Sequence, residues 1–379
     1  MDERLRFIGL CLGKENGMSA LCGSFGISRK TGYKWLSRYR ERGVEGLEDE
    51  SRASHRHVNS VSPEVESEIV RLRGLHPHWG SRKLRSWFLS HRRRELWPAA
   101  STIGEILRRH GLVVRRRCRR KSPPYQEPFI GCDRPNAVWC ADFKGWFRTG
   151  DGSRCDPFTL TDAYSRYLLR CQAVVRPDYE SVRPLFQAAF QEYGLPAAIR
   201  TDNGSPFATV SVGGLSKLSI EWIKLGIIPE RIAPGHPEQN GRHERMHRTL
   251  KAETATPASA NLRRQQHRFD RFRQEYNGER PHEALGQKPP AQLYTPSFRP
   301  WPCRLPEIVY PDHYLLRKVH HRGDLRCRNT SIYLSETLIG ETLGLDQQDE
   351  RLFDVYFSWL KLGTLDIENY TFKREHQRL

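Results

Sequence analysis

The sequence predicts a three-part chain: a helical N-terminal part, an α/β or α+β layered middle, and a β-rich C-terminal end. Three observations carry this. Up to residue 114, helix starts and stops repeat, with Ser28, Ser62-Pro63 and Ser101-Thr102 as openers and Gly43, His76-Pro77 and Gly111 as terminators. From residue 135, strand-like alternation gives way to alternating strand and helix segments. After Pro302, short β-prone runs recur at Tyr314-Leu-Leu-Arg-Lys-Val, Ser331-Ile-Tyr-Leu, Asp354-Val-Tyr-Phe and Leu362-Gly-Thr-Leu, which reads as a small β-barrel.

Bulk properties narrow the class. At 379 residues the chain is too long for one compact core. With 37% hydrophobic and 28% charged residues it matches a soluble, folded protein. Lys and Arg outnumber Asp and Glu by 62 to 44, a net charge of +18 that favours a polyanionic partner, nucleic acid foremost. No apolar run is long enough to span a bilayer, and Met-Asp-Glu-Arg-Leu-Arg does not read as a signal peptide. The nine cysteines are scattered, odd in number and without a Cys-x-x-Cys pair, which argues for a reducing cytosol over a disulfide framework or cysteine zinc site. The expected location is therefore the cytoplasm, on the nucleoid when bound to DNA.

Met18 to Ser28 reads as a short helix, a turn through Phe25-Gly26-Ile27, and a second helix capped by Ser28. Arg29, Lys30 and Lys34 fall in the first turns of that second helix, where a helix-turn-helix meets the major groove. An ordinary helical hairpin with a solvated basic face fits this stretch equally well. Residues 62 to 114 repeat the pattern, with Arg82 and Lys83 as the matching cations. Arg115, Arg116, Arg117, Arg119 and Arg120, with Lys121, form a run suited to tracking phosphates, ahead of Ser-Pro-Pro.

In the middle part, Ala137 to Thr149 and Phe158 to Ala173 flank the Gly150-Asp151-Gly152 turn as a hairpin, with Asp142 within its first strand. Tyr179 to Tyr193, Leu215 to Leu225 and residues 260 to 277 read as helices, and Ile227 to Ala233 as a strand. Ala198-Ile199-Arg200 is a short strand that delivers Asp202 to a tight Asn203-Gly204 turn. Pro237 suits the first position of a helix running to Lys251, on which Glu244, Arg248 and Lys251 share a face. Asp142, Asp202 and Glu244, from two strands and a helix, form a candidate set of hard oxygen ligands for divalent cations.

Trp139 to Phe143, Thr201 to Gly204, Pro234 to Lys251 and Asn277 to Leu285 together resemble the integrase-type core of retroviral integrases and bacterial insertion-sequence transposases. The N-terminal half looks like the paired helix-turn-helix modules of those transposases, and the tail is similar to the small barrel ending phage Mu-type relatives. The paired His and Cys of the retroviral zinc module are absent from the sequence. The resemblance implies a ribonuclease-H-like core, a mixed five-stranded sheet with helices on both faces. It implies helix-turn-helix DNA binding over 1–52, a second helix-turn-helix or winged-helix-like module over 60–114, and a basic linker over 115–134. The core would span 135–298 and the barrel 305–379. By the same resemblance Asp142, Asp202 and Glu244 are the catalytic and metal-binding acids, and the ions are Mg²⁺ or Mn²⁺, two of them. Asn203 and Asn240 fall where the site is shaped, and Arg248 and Lys251 where the helix meets DNA. The partners would be double-stranded DNA, as terminal repeats and target, and at least a second copy of the chain. The implied activity is metal-dependent end cleavage and strand transfer.

A competing acid is Glu238, with 35 residues between it and Asp202, a spacing familiar in that family. The Pro-x-x-x-Gly-x-x-Glu pattern from Pro237 through Gly241 selects Glu244 instead. Glu238 has a separate explanation as an acid in a helix's first turn. Two other functions compete. His243-Glu-Arg-Met-His247 matches the zinc-protease pattern His-Glu-x-x-His, but that reading leaves Asp142, Asp202 and the basic modules without a role. With the acids as the site, His243 and His247 are expected to be solvated or DNA-facing. A DNA-binding regulator with an unused site is the second alternative.

Overall fold

The computed structural model describes residues 2–13, 16–49, 61–92, 95–113, 131–209, 211–232, 241–302, 304–327 and 330–375. They fall in two compact units, residues 1–62 and 63–379.

The first unit contains α1 (Asp2–Leu12), α2 (Met18–Ser24) and α3 (Arg29–Arg42), then a short 3-10 turn. The Ser28 hydroxyl accepts the Thr31 amide proton at 3.2 Å, capping α3 where the sequence predicts. Gly43 ends α3 at a φ of 64°, a conformation that favours glycine. Phe7, Ile8, Leu21, Cys22, Leu36 and Leu47 form its core. Gly32 permits the close approach of α2 and α3, since a Cβ there would lie 2.6 Å from Cys22 Sγ.

The second unit opens with α4 (Pro63–Leu75), α5 (Ser81–His91) and α6 (Ala100–Arg109), packed around Ile69, Leu72, Trp79, Leu84, Phe88, Ile103 and Ile106. The expected cap of α6 at Ser101-Thr102 is corrected: both lie inside the helix, and Ala99 is the N-cap without a side-chain bond. Pro98, whose ring fixes an extended lead-in, lets the helix start earlier.

The mixed sheet comprises β1 (Val138–Phe143), β2 (Phe147–Arg148), β3 (Arg154–Asp162), β4 (Leu168–Val174), β5 (Ala198–Thr201) and β6 (Ile228–Arg231). Five strands run in the order β4-β3-β1-β5-β6, and β2 pairs only with the start of β3. Strands β4, β3 and β1 are antiparallel neighbours, whereas β1, β5 and β6 are parallel. The expected strand Phe158 to Ala173 is thus two strands, reversed at Arg166, whose φ is 65°. Buried Asp162 secures this reversal by accepting from Ser165 N and Oγ and, across the sheet, from Asn136 N, at 2.6–2.8 Å.

Helices cover both faces. On one, α7 (Tyr179–Tyr193) and α8 (Lys217–Lys224) bring Val182, Phe186, Phe190, Leu218 and Trp222 onto Trp139, Phe158, Leu160 and Ile199. On the other, α9 (Gly241–Thr254) and α10 (Leu262–Gly278) bring Met246, Leu250, Phe269 and Phe272 onto Cys155, Leu168 and Cys171. With strand partners on either side and helices above and below, β1 is the sheet's central strand.

The C-terminal strands are β7 (Leu315–Lys318), β8 (Asp324–Cys327), β9 (Thr330–Tyr333), β10 (Thr342–Gln347), β11 (Leu352–Phe357), β12 (Leu360–Asp366) and β13 (Thr371–Arg374). Five form an antiparallel sheet in the order β13-β12-β11-β10-β7, and β8-β9 form a separate ribbon. Of the expected small β-barrel these strands give the sheet and the ribbon; among the described residues no ladder joins β7 to β13. The apolar face of the sheet packs on Leu325 and Ile332 of the ribbon and on Leu334 and Leu338 beyond it. Leu343, Val355, Phe357, Leu362 and Leu365 are covered by Val212, Leu215, Ile220 and Ile223 from the α8 region.

That shared core predicts the consequence of opening it. Leu362→Ala should lower the stability of the second unit by about 2–5 kcal/mol, the usual cost of a large-to-small change in a packed core. The measurement is a shift in denaturant midpoint, with exposed Leu96→Ala as the control.

Candidate active site

Strand alternation decides which way β1 presents its side chains. Trp139 and Ala141 enter the core under α7 and α8, so Cys140 and Asp142 face the opposite side. Asp142 pairs across the sheet with Thr159. On its other side, β1 pairs in parallel with β5 through Trp139↔Ile199 and Cys140↔Arg200. Its last pair is Cys140↔Arg200, and Asp142, near the end of β1, and Asp202, one residue past β5, follow it on neighbouring strands. Both acids therefore stand at the carboxyl ends of neighbouring parallel strands, where open α/β sheets expose their ligands.

Asp202 is half-buried, and burial raises its pKa above the ordinary carboxylate value while the Gly204 amide acts in the opposite direction. That amide donates to Asp202 Oδ1 at 3.2 Å. Asn203 is exposed, and its Nδ2 donates to Ile232 O at 2.9 Å, tying the turn to the chain leaving β6.

On α9, His243, Met246, His247, Leu250 and Thr254 form the buried stripe, and Glu244, Arg245, Arg248 and Lys251 the exposed one. The two histidines meet one hydroxyl: His243 Nε2 and His247 Nε2 each lie 2.7 Å from Thr159 Oγ1. Thr159 Oγ1 also reaches Asp142 O at 3.2 Å, and Thr161 Oγ1 lies 3.3 Å from His243 Nδ1. His247 Nδ1 stands 3.8 Å from Asp142 Oδ2. Burial pushes both imidazoles far below the ordinary histidine range, His243 to about 3 and His247 to about 2, with His243 and Lys144 adding to the effect on His247. The expectation that these histidines are solvated or DNA-facing is therefore corrected. They are uncharged pins between α9 and the sheet, at 4% and 2% exposure.

This packing governs the third acid. Glu244 follows His243 by one residue, about 100° further round the helix, and so lies on the solvent side. Among the described residues, the ligand atoms that converge within 4.8 Å are those of Asp142, His243 and His247, and Glu244 is not among them. The aspartate pair fits a hard divalent cation, because a half-buried carboxylate gains from a nearby positive charge. Glu244 does not complete that set in this arrangement. Nor does it support a zinc protease: Glu244 points away from the histidines it would serve as base, and both rings are closed to water.

The predicted DNA contacts divide. Arg29, Lys30 and Lys34 are exposed on the first turns of α3, and Arg248 and Lys251 are exposed on α9. Arg82 is exposed and pairs with Glu283 at 2.8 Å. Lys83 is corrected: its half-buried ammonium donates to Pro281 O at 2.5 Å, and burial followed by Arg280 brings its pKa down to about 8. It holds α5 to the segment after α10 rather than facing a ligand. Arg115, Arg116, Arg117, Arg119, Arg120, Glu238 and Asn240 lie outside the described residues, as does the proposed helix start at Pro237. Sequence reasoning missed Thr159 and Thr161. Their signal was Thr-x-Thr in Phe158-Thr-Leu-Thr161, polar residues at strand period on the α9-facing side.

Comparisons with known proteins match the chain by region. Residues 133–237 and 225–290 match two integrase core domain families, residues 3–55 a helix-turn-helix domain, and residues 31–107 a homeodomain-like domain. The chain is 28% identical over 277 residues to the insertion element IS476 uncharacterized 39.2 kDa protein of Xanthomonas euvesicatoria, covering 70% of this chain and 75% of that one. It is 28% identical over 197 residues to the insertion element IS407 uncharacterized 31.7 kDa protein of Burkholderia multivorans, covering 50% and 67%. Among solved structures, the HTLV-2 integrase catalytic core domain in complex with magnesium aligns with 43% of this chain and 99% of its own, at 15% identity and a TM-score of 0.35. That superposition adds nothing to the topology already read from the strand order. No described helix is long and apolar enough to cross a membrane.

Two outcomes follow from the histidine pins. Thr159→Val should leave two buried imidazole nitrogens without their shared partner and cost about 1–3 kcal/mol for each, read as a lower denaturation midpoint that Thr159→Ser restores. The second concerns pH. Both histidines are neutral in the fold, whereas in the unfolded chain they protonate near 6.5, so below that pH the unfolded state binds more protons. Stability should therefore fall as pH drops from about 6.5 toward 3, by up to about 1.4 kcal/mol per pH unit for each histidine. Urea midpoints at pH 7, 6 and 5 measure it, and His243→Gln should flatten the slope.

Proposed function

We propose that this chain, a transposase of the insertion-element class with an integrase-type core, cuts DNA at its element's ends and joins them to a target by phosphoryl transfer. The observation that carries the reading is the parallel pairing of β1 with β5, which supports Asp142 and Asp202 as neighbouring carboxylates at one end of the sheet. Bound Mg²⁺ or Mn²⁺, as a pair, supplies activation of an attacking oxygen and stabilisation of a leaving oxygen in an in-line displacement. Asp142 and Asp202 would hold those ions. Glu244, the third acid of the family motif, is assigned to the same ions by that motif, and on α9 it lies on the exposed stripe.

The remaining residues serve position. Arg29, Lys30 and Lys34, exposed at the start of α3, suit the major groove of the element's terminal repeat. Arg248 and Lys251 lie on the exposed stripe of α9 that includes Glu244, one turn and two turns along, which suits phosphates flanking the scissile bond. Asn203 braces the turn after Asp202. Water would cut first, and the freed 3′-hydroxyl would then attack the target. Joining two ends to one target calls for at least two copies of the chain.

The test is cleavage and strand transfer on DNA carrying the element's flanking repeats, with Mg²⁺, Mn²⁺ or chelator. Joining should require the metal and vanish in Asp142→Asn, Asp202→Asn and Glu244→Gln, while Glu238→Gln retains it. Retention of Mg²⁺-dependent joining by Asp142→Asn would sink the assignment, and specific binding without cleavage in any metal would mark a regulator. Separately, alanine at Arg29, Lys30 or Lys34 should each reduce the slope of log affinity against log salt by about 1.

A further inference from the structure

Past the end of β1 the chain runs on along β3 as a short hairpin. β1 pairs with β3 as far as Phe143↔Phe158, Lys144 N donates to Pro157 O at 3.0 Å, and β2 follows with Phe147↔Cys155 and Arg148↔Arg154. From Phe143 to Phe147 is four residues and from Phe158 to Cys155 three, so β2 prolongs the line of β1 after a one-residue bulge. It lies beyond the carboxyl end of β1, the end that carries Asp142. Counted along β3, Cys155 stands four residues from Thr159, the partner of Asp142. That is about 14 Å at strand rise, or roughly four steps along a DNA strand. Phe147 packs inward against the apolar layer of α9 and α10, so its neighbours Trp146 and Arg148 turn to the other side, where Arg154 joins them. The guanidinium carbons of Arg154 and Arg148 stand 5.3 and 5.7 Å from the centre of the Trp146 ring. Both distances are near the outer limit of about 6 Å for a cation on an aromatic face, so the cations flank the ring without covering it. The indole stays 55% exposed.

We infer that Trp146, Arg148 and Arg154 form a seat for one unpaired base of the DNA beside the cut: the base stacks on the indole, and the phosphates on either side of it meet the two guanidinium groups. A π-face flanked by cations suits a nucleotide, because every base has a face to stack and every link a phosphate to pair. Bases inside an intact duplex stack on one another and offer no face to an outside ring, so the seat takes a base that has left its pair. The seat is held before anything binds. Arg148 donates to Gly152 O at 2.8 Å, and Arg154 Nε donates to the buried Asp156 carboxylate at 2.6 Å while 47% of the Arg154 side chain stays exposed. At the hairpin tip, Gly150 N and Asp151 N donate to Ser259 O and Ala260 O at 2.9 and 2.8 Å, fastening it to the connection between α9 and α10. A ring fixed in this way loses little freedom when a base settles on it. The inference rests on the reading of the Asp142 end of the sheet as the end that cuts DNA.

The experiment is a fluorescence-anisotropy titration of the full chain onto labelled duplex of the element's terminal repeat, once fully paired and once with its terminal pairs mismatched, in chelator so that nothing is cut. The wild type should bind the mismatched end about tenfold more tightly, the discrimination expected of one stacked base. Trp146→Ala should bind the two DNAs alike, and Trp146→Phe, whose ring still stacks, should keep most of the preference. A ring that only held the hairpin together would, when removed, shift both affinities and leave their ratio intact. Arg148→Gln and Arg154→Gln should weaken both DNAs, each lowering the slope of log affinity against log salt by about 1. Equal binding of the two DNAs by the wild type, or an undiminished preference in Trp146→Ala, would overturn the seat. If Trp146→Ala does not fold, the wild-type comparison and Trp146→Phe decide. Metal-dependent joining by the wild type is scored independently. Joining without a preference for the mismatched end removes only this inference, and the preference without joining removes only the functional reading.

Discussion

The arrangement depends on β1 being the central strand. Antiparallel to β3 on one side and parallel to β5 on the other, it is fixed in register from both directions. A slip by one residue would exchange Trp139 and Ala141 for Cys140 and Asp142 in the core, burying a carboxylate among Phe158, Phe186 and Phe190. The same aromatic packing that stabilises the fold therefore aims Asp142 at the opposite face. Trp139 Nε1 donates to Asn136 Oδ1 at 3.0 Å, and Tyr294 OH reaches the same oxygen at 2.9 Å, so the start of the strand is held by the segment after α10.

From that strand the site is assembled by two kinds of contact. Asp202 comes from backbone pairing, through β5, and needs only the register. Helix α9 comes from side-chain packing: Met246 and Leu250 enter the apolar layer with Phe269 and Phe272, and His243 and His247 end on one threonine hydroxyl. A buried hydrogen-bond junction of this kind tolerates little rotation, because each imidazole nitrogen would lose its partner. It orients the helix so that Glu244, Arg248 and Lys251 face outward together. Cations and an acid on one exposed stripe suit a polyanionic partner, and they also explain why Glu244 stands apart from the aspartates in the protein alone.

The second helical set and the C-terminal sheet are each joined to the core by specific contacts. Lys83 and Ser86 on α5 donate to Pro281 O and Gln287 O, and His76 Nδ1 meets Glu275 at 2.8 Å, so the second helical set rests on the end of α10. Arg280, buried at 6% exposure, pairs with Glu253 of α9 at 2.7 Å. The segment Arg280-Pro-His thus acts as an anchor on which three elements converge. At the other end, Lys224 on α8 pairs with Glu341, next to the apolar layer that the C-terminal sheet shares with α8.

Much of this was legible in the residues because it depends on neighbours in sequence. Ser28 capping α3, the turn at Gly26, the span of α7 and the delivery of Asp202 to an Asn-Gly turn follow from local propensity and periodicity, whereas the choice of Asp142, Asp202 and Glu244 as the acids rests on the family motifs alone. Strands β8, β10 and β13 were not legible, since Asp324-Leu-Arg-Cys and Thr371-Phe-Lys-Arg carry too little apolar alternation to signal themselves without a partner strand. The roles of His243, His247 and Lys83 were misread for a related reason. Polarity in a sequence suggests solvent, and only the fold supplies the Thr159 hydroxyl or the Pro281 carbonyl that makes burial tolerable. The sequence by itself determined which acids exist and which strands and helix carry them, because strand and helix formation are governed by local pattern. The tertiary structure alone decided which donors meet, bringing Asp142 against His247 while leaving Glu244 outside, because convergence depends on how α9 is rotated on the sheet, and that rotation is set by packing between residues far apart in the chain.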